Sequence, residues 1–396
     1  LPLSFSLFRM EMAGIQVKRE SLKAYGDRLV GRIRELEQEI YALAGESFNI
    51  LSPKQLGTIL FEKLHLPFGK KTKTGWSTNA DVLEKLRGKH PIVNMVLDYR
   101  MLTKLKSTYA DGLLKLIDPD GRIRTKFQMT VTATGRLSST DPNLQNIPIR
   151  KELGSHIREM FIASKGNVLV DADYSQIELR LLAHISGDEH MRAAFLSGED
   201  IHTVTASQVF NTPIDEVTPL QRSRAKAVNF GIVYGISPWS LAQDIGVTQG
   251  EAKAYMDAYL NKYDGVRDYM KSIVEKAKQD GYVTTIYSRR RDLPELKSSN
   301  FNTRSFGERV ALNMPIQGTA ADIIKLAMVN VYNRLKAEGL KARLILQVHD
   351  ELICECPENE AQTVADILRE EMSGAARLSV PLTVDAKIGH SWAEAH

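Results

Sequence analysis

The sequence is poor in nearly everything that marks a secreted, membrane-bound or disordered chain. Only two of its 396 residues are cysteine, Cys354 and Cys356, one residue apart. Neighbours that close on a strand are badly placed to form a disulfide, and two thiols are too few for a structural zinc site. A reduced, intracellular protein is the expectation. No apolar run approaches the roughly 18 residues of a membrane-spanning helix, and the opening Leu1-Pro2-Leu3 lacks the basic flank of a signal peptide, so no membrane partner is expected. The chain also begins without Met, which points to a piece of something longer. Low-complexity tracts and internal repeats are missing. Charge of one sign is scarce too: 52 Lys and Arg against 48 Asp and Glu leave a net +4, a balance that fits many soluble enzymes and selects no partner by itself.

What is present is organised. Leu22, Leu29, Ile33, Leu36, Ile40 and Leu43 fall on one face of a long helix from about Ser21 to Ala44, ended by Gly45. A second helix starts at Pro91, a favoured first-turn residue, and runs through Leu105. Between them lies a polar segment with Lys70, Lys71 and Lys73, so the two helices read as an antiparallel arm with a basic tip. From Gly121 to Val170 short strand-like runs alternate with turns, and Ile177 to Asp280 reads as mostly helical. Gly281 to Leu293 reads as an arginine-rich hairpin. Leu344–Val348 and Leu352–Cys354 flank a two-residue turn at His349-Asp350, and a helix (360–372) and a strand (382–388) follow.

Three distant segments carry chemistry. Asp173-Tyr174-Ser175-Gln176-Ile177-Glu178 and His349-Asp350-Glu351 each present a carboxylate at the end of an apolar strand. Between them, Arg222, Lys226, Phe230 and Tyr234 recur every four residues and so drift only about 40° per step along one helix side. Two carboxylates can hold a pair of magnesium ions, and two helix cations can hold a triphosphate by charge-assisted bonds. Transfer to a hydroxyl with pyrophosphate leaving needs that combination. Each part has a plainer reading: an acid at a strand end as a solvated turn residue, the helix as an aromatic core stripe beside solvated cations. Asp171 shares a strand face with Asp173, and His202 sits at an expected helix start, where a phosphate contact and an ordinary helix-start role both fit. Gly231 and Gly235 point to close approach or a bend. Lys70–Lys73, Lys104–Thr108 and Arg289–Arg291 each read equally as a phosphate track or a solvated patch.

These segments, with Thr132-Ala133-Thr134-Gly135-Arg136-Leu137-Ser138-Ser139, Asp141 to Pro148, Asn313 to Thr319 and Gly389-His390-Ser391-Trp392, give the chain a resemblance along essentially its whole length. It resembles the polymerase domain of bacterial family A DNA polymerases, the Klenow-type large fragment without its 3′–5′ exonuclease domain. The resemblance implies an α+β right-hand fold, with an antiparallel-sheet palm and helical thumb and fingers. The expected regions are palm start 1–14, thumb 15–112, palm 113–185, fingers 186–322 and palm 323–396. It implies that Asp173 and Asp350 bind two Mg2+ ions (Mn2+ substituting), with the Tyr174 carbonyl as a further ligand and Glu351 nearby. Gln176, His202, Arg222 and Lys226 would bind the triphosphate, Lys226 also protonating pyrophosphate. Phe230 would pack on the incoming nucleotide, Tyr234 would stack at the templating position, and Glu178 would pair with Tyr234 and exclude a 2′-hydroxyl. Phe230, where some relatives carry Tyr, implies discrimination against dideoxynucleotides. Lys104, Lys106, Ser107, Thr108, Arg136, Asn146, Arg309, Asn313, Gln317 and His349 would contact primer–template DNA. A monomer in the bacterial cytoplasm, with the nucleoid, acting in repair and replication, is the implied setting.

Other readings separate on single features. A nuclease has no need of the triphosphate helix, a non-catalytic DNA-binding relative tolerates loss of Asp173 or Asp350, and a single-subunit RNA polymerase has no use for Glu178 as a barrier to ribose.

Overall fold

The computed structural model describes residues 2–67, 69–148 and 155–396. Its centre is a four-stranded antiparallel sheet in the order 343–348, 351–357, 167–174, 384–389. The central strand Asn167–Tyr174 pairs with Glu351–Pro357 on one side and Val384–Gly389 on the other. Val168, Leu169, Val170 and Ala172 make it a strand buried on both sides, and alternation sorts its side chains. Val168, Val170, Ala172 and Tyr174 share one face with Leu352, Cys354 and Cys356. That face lies on the helix Ala361–Ser373, where the Tyr174 hydroxyl donates to the Met372 carbonyl at 2.6 Å. Asp171, Asp173, Glu351 and Glu355 share the other face. Both cysteines are buried and unpaired with each other.

The expected arm is present. The helix Arg19–Ala44 buries Leu22, Leu29, Leu36 and Ile40, while Ile33 is only half-buried, and it ends at Gly45 in the left-handed conformation. It packs along Pro91–Lys104. The tip is more than a basic connection. It has its own core of Ile50, Leu56, Leu60, Leu83, Ile92 and Val96, built on short helices that the sequence pattern did not resolve. The second arm helix runs on into a π-helical stretch, Leu105–Asp111.

Three of the four expected boundaries fall inside helices: 112/113 in Gly112–Leu114, 185/186 at the end of Ile177–Ser186, and 322/323. Just past the fourth, 14/15, Ile15–Val17 is a strand between Arg122–Ile123 and Phe161–Ile162, so it pairs with the 113–185 region. Residues 322 and 323 lie within a single 37-residue helix, Phe301–Ala337. The arginine-rich hairpin forms at Tyr282–Thr284 and Arg290–Asp292, and Ile177–Asp280 is helical apart from short turns. The run of short strands expected between Gly121 and Val170 crosses residues 149–154, outside the described residues. Among the described residues no helix is long and apolar enough to cross a membrane.

Candidate active site

The sheet brings the two distant acids together through its register. Glu351 is the Cα partner of Asp173, and the Tyr174 amide donates to the Asp350 carbonyl at 3.1 Å. The His349-Asp350 turn, with His349 at φ 50°, therefore sits against the end of the central strand. Asp173 is exposed at this edge. Desolvation by the surrounding protein, then the charges of Glu351, Asp350 and Asp171, push its carboxyl up to about 7. Asp350 is raised as well, by burial, with Arg136 and His349 working against the shift. Crowded carboxylates that each resist ionisation are the signature of a place that awaits positive charge.

Behind them lies a group the sequence named only in part. Asp171 and Glu351 are each 4% exposed, and their oxygens come within 4.8 Å of one another and of His396 Nδ1. The carboxylates of Asp171 and Glu351 beside it push the His396 imidazole up to about 10. Nothing in the sequence pattern links residues 171, 351 and 396.

The cationic helix is Pro219–Tyr234, opened by a capping box between Thr218 and Gln221 and closed by Gly235 at φ 65°. Gly235 is thus a helix terminator. A Cβ on Gly231 would lie 2.4 Å from Ile236 Cγ2, so the close approach there is by the chain's own next turn. Arg222 is paired with Asp200, at 2.7 and 3.2 Å. Asp200 also caps the helix Ile201–Val209 through Thr203. Although burial pushes the other way, the bonds from Arg222 and Thr203 hold the Asp200 carboxyl well below its usual range. Lys226 is exposed.

His202 is fully buried. Its Nδ1 lies 3.0 Å from the Asn229 amide nitrogen, whose oxygen accepts from Thr205 at 3.2 Å. A donor amide there assigns the acceptor role to Nδ1 and leaves the proton on Nε2, and Nε2 has no partner. Burial pulls the ring down to about 4. His202 is a neutral donor whose Nε2 is buried and uncommitted, with its ring centre 5.8 Å from that of Phe230. Asn229, which sets this orientation, escaped the sequence pattern; its only signal is a polar residue on an otherwise apolar helix face.

Between the sheet and this helix stands Glu178, 6% exposed. It accepts from Arg136 at 2.9 Å and from the Tyr234 hydroxyl at 3.0 Å. Burial still raises its carboxyl above the usual range. A cleft of about 240 Å³ is lined by Thr132, Arg136, Asn146, Gln347, His349 and Asp350 among others. Gln347 donates to the His349 carbonyl, and Gln145 reaches Gln347. Asn313 donates to the Val233 carbonyl at 3.3 Å, and Gln317 lies beside Tyr234. Arg309 is exposed one turn away, bonded to Ser305. Gln176, at φ 54°, opens the helix Ile177–Ser186. Lys104, Ser107 and Thr108 are exposed on the arm, while Lys106 pairs with Asp111. These arm residues stand apart from the acids, and the Tyr109 hydroxyl ties their segment to the Asn146 carbonyl at 2.7 Å.

The sheet thus ends in two aspartates, and a separate helix carries Arg222 and Lys226 one turn apart and reaches Glu178 through Tyr234. The particular family follows from comparison: residues 19–394 match the family model "DNA polymerase family A", and the chain belongs to that family. It is 55% identical to DNA polymerase I of Bacillus subtilis (strain 168) and 52% identical to DNA polymerase I of Caldicellulosiruptor bescii, over 100% and 99% of this chain. It spans less than half of those relatives, 45% and 46% of their length. A solved structure of the POL domain of Pol1 from M. smegmatis, in complex with DNA primer-template and dNTP, matches all of this chain and 70% of that one. The TM-score is 0.95 at 48% identity. The right-hand polymerase fold is therefore the fold of this chain.

Proposed function

We propose that this chain is a template-directed DNA polymerase, extending a primer 3′ end with dNTPs and releasing pyrophosphate. The observation that carries the reading is the junction at Glu178, whose carboxylate bonds both Arg136, which lines one cleft with Asp350, and Tyr234, the last residue of the helix that carries Arg222 and Lys226. A polymerase must neutralise a triphosphate on one side and activate a hydroxyl on the other, and this arrangement has a surface for each.

The donor set fits hard divalent cations. Asp173 and Asp350 offer carboxylate oxygens, desolvated and crowded enough that both carboxyls are raised, and such oxygens suit Mg2+, with Mn2+ able to substitute. Bound there, two such ions supply activation of the primer hydroxyl and neutralisation of the leaving pyrophosphate. The Tyr174 carbonyl completes the proposed ligand set. The primer 3′-oxygen forms a bond to the α-phosphorus as the bond to pyrophosphate breaks.

The chain's own residues do the rest. Arg222, Lys226, Gln176 and the Nε2–H of His202 bind the phosphates, and Lys226 delivers the proton to pyrophosphate. Arg222 must give up part of its bond to Asp200 to do so. Phe230 packs on the incoming sugar and base, and Tyr234 stacks at the template. Glu178, fixed by two donors, occupies the space a 2′-hydroxyl needs and so selects deoxynucleotides. Arg136, Arg309, Asn313, Gln317 and His349 face the nascent pair, where minor-groove acceptors are nearly common to all base pairs and test shape rather than sequence. Lys104, Lys106, Ser107, Thr108 and Asn146 follow the DNA backbone along the arm. In this reading 15–112 is the thumb, entered through the strand Ile15–Val17 that pairs with palm strands; 186–322 is the fingers; and 1–14, 113–185 and 323–396 are the palm, which shares the helix Phe301–Ala337 with the fingers. The chain acts as a monomer in the bacterial cytoplasm, in repair and replication.

The test is extension of a labelled primer on a DNA template with Mg2+ and either dNTPs or rNTPs, beside Asp350→Ala. Templated dNTP extension that disappears in the variant is the expected result. A wild type that binds primer–template yet extends nothing sinks the reading.

A further inference from the structure

The same strand face that carries Asp173 also carries two acids that no contact with substrate explains. Asp171 is 4% exposed and neither of its carboxylate oxygens has a hydrogen-bond partner. Glu351 is equally buried and its Oε1 is unpartnered. Two buried carboxylates side by side repel, and each is costly to hold unpaired. Two cations face them. Arg158, 2% exposed and stacked 4.3 Å over the Trp392 ring, stands 3.9 Å from Glu351 Oε1, and none of its nitrogens is hydrogen-bonded. It supplies charge without a directed bond. The other is His396, whose Nδ1 is 3.1 Å from Glu351 Oε2 and 3.8 Å from Asp171 Oδ2. His396 is the only one of the two that bonds Glu351, and it stands between the two acids.

The residue is itself held in place. Lys387 Nζ donates to the His396 backbone oxygen at 3.1 Å. The preceding turn Trp392–Ala395 is capped by Ser391 and anchored by the fully buried Trp392. An imidazole that merely lay on the surface would have no need of such fastening.

We propose that His396 is a positioning residue for nucleotidyl transfer: by bonding Glu351 and separating it from Asp171, it fixes the first residue of the strand that follows Asp350. Because Glu351 is also the register partner of Asp173, its placement sets how both metal-binding aspartates are aimed. Without the imidazole, Glu351 swings away from Asp171 toward Asp173 and Asp350, where it disturbs the cation site. The inference rests on the polymerase reading given above.

The experiment compares wild type, His396→Ala, Asp171→Asn and the double variant by single-turnover primer extension across a Mg2+ titration. Mn2+ binding to each protein without DNA is followed in parallel by electron paramagnetic resonance. His396→Ala is expected to lower the maximal rate at least tenfold and to raise the Mg2+ needed for half-maximal rate. Its primer–template Kd and near-ultraviolet circular dichroism should stay as in wild type. Its Mn2+ affinity falls several-fold. Adding Asp171→Asn, which removes the repulsion that His396 relieves, should recover most of both losses. A rate and Mn2+ affinity within twofold of wild type in His396→Ala overturn the proposal, and so does a double variant as impaired as His396→Ala. A wild type that extends nothing overturns the polymerase reading instead, and the Mn2+ comparison then still decides whether His396 shapes the cation site.

Discussion

The acid-bearing face of the central sheet has two ends, and they treat a carboxylate in opposite ways. At one end Glu355 is 1% exposed, yet it is fully served. Arg122 donates at 2.9 Å, Arg343 at 3.1 Å and the Ser164 amide at 2.7 Å. Against the upward push of burial, the bonds from Ser164 and Arg122 bring its carboxyl below the usual range. At the other end Asp173 is exposed, yet desolvation by the surrounding protein, then the charges of Glu351, Asp350 and Asp171, push it up to about 7. Burial therefore does not mark the functional acid. The mark is the mismatch between negative charge and the donors supplied for it: Glu355 is satisfied by the fold, while Asp173 and Asp350 are left to be satisfied by something the chain does not contain.

The largest expected effect breaks the comparison at the unsatisfied end. Asp173→Asn should lose about a thousandfold or more in primer extension, because a neutral amide cannot hold a divalent cation as a carboxylate does. The same change should raise the unfolding temperature measured in EDTA. A carboxyl raised in the folded state costs stability above its ordinary titration range, and the amide removes that cost. Loss of activity with gain of stability is the joint outcome that identifies an acid placed for function. A variant both inactive and less stable would mean that Asp173 is held by internal partners after all.

Glu355→Gln strikes the satisfied end, and the expectation reverses. Arg122 is 6% exposed and keeps only the Ala13 and Gly14 carbonyls as partners once the charge is gone. Breaking one side of a buried pair costs about 3 kcal/mol. Urea unfolding should read that loss, while primer extension per folded molecule stays near wild type. Retained stability would show that this pair contributes little, and a selective loss of activity would place Glu355 in the site.

The sequence discloses these two ends unequally, for physical reasons. Periodicity reveals the arm, since Leu22 to Ile40 must share a face whatever they pack on. Strand ends reveal Asp173 and Asp350, because an acid soon after an apolar run such as Val168-Leu169-Val170 or Leu344-Ile345-Leu346 is conspicuous. Arg222 to Tyr234 is legible because four-residue spacing is local. The pairings that decide what each charge does are not local. Asp200 answers Arg222 across 22 residues, Arg122 answers Glu355 across 233, and His396 reaches Asp171 from the far end of the chain. No period encodes such contacts; only the packing of distant elements creates them. The arm tip was hidden differently. Its core is assembled from helices of five or six residues, shorter than the window in which an apolar period can be counted. The π-helical stretch at Leu105–Asp111 has no pattern of its own within a helix that otherwise continues.

Histidine extends the comparison and yields its smallest predicted effect. His396, between two acids, is pushed up to about 10, whereas His202, fully buried with only neutral bonding partners, is pulled down to about 4. A histidine whose folded value is depressed stabilises the protein at high pH, and that contribution is lost as pH falls below the unfolded value near 6.5. Between pH 7 and pH 5 the unfolded chain takes up a proton at this position and the folded chain does not, so wild type loses about 2 kcal/mol there. His202→Gln keeps an acceptor for Asn229 and removes the titration. Its urea-derived stability should therefore fall by about 2 kcal/mol less than that of wild type between those two pH values. His396 is present in both proteins and its opposite contribution cancels in the difference. Parallel pH curves for the two proteins would mean that His202 is protonated without penalty. The added proton would sit on Nδ1, so the bond from Asn229 would be lost at mildly acid pH while the Nε2–H donor stayed.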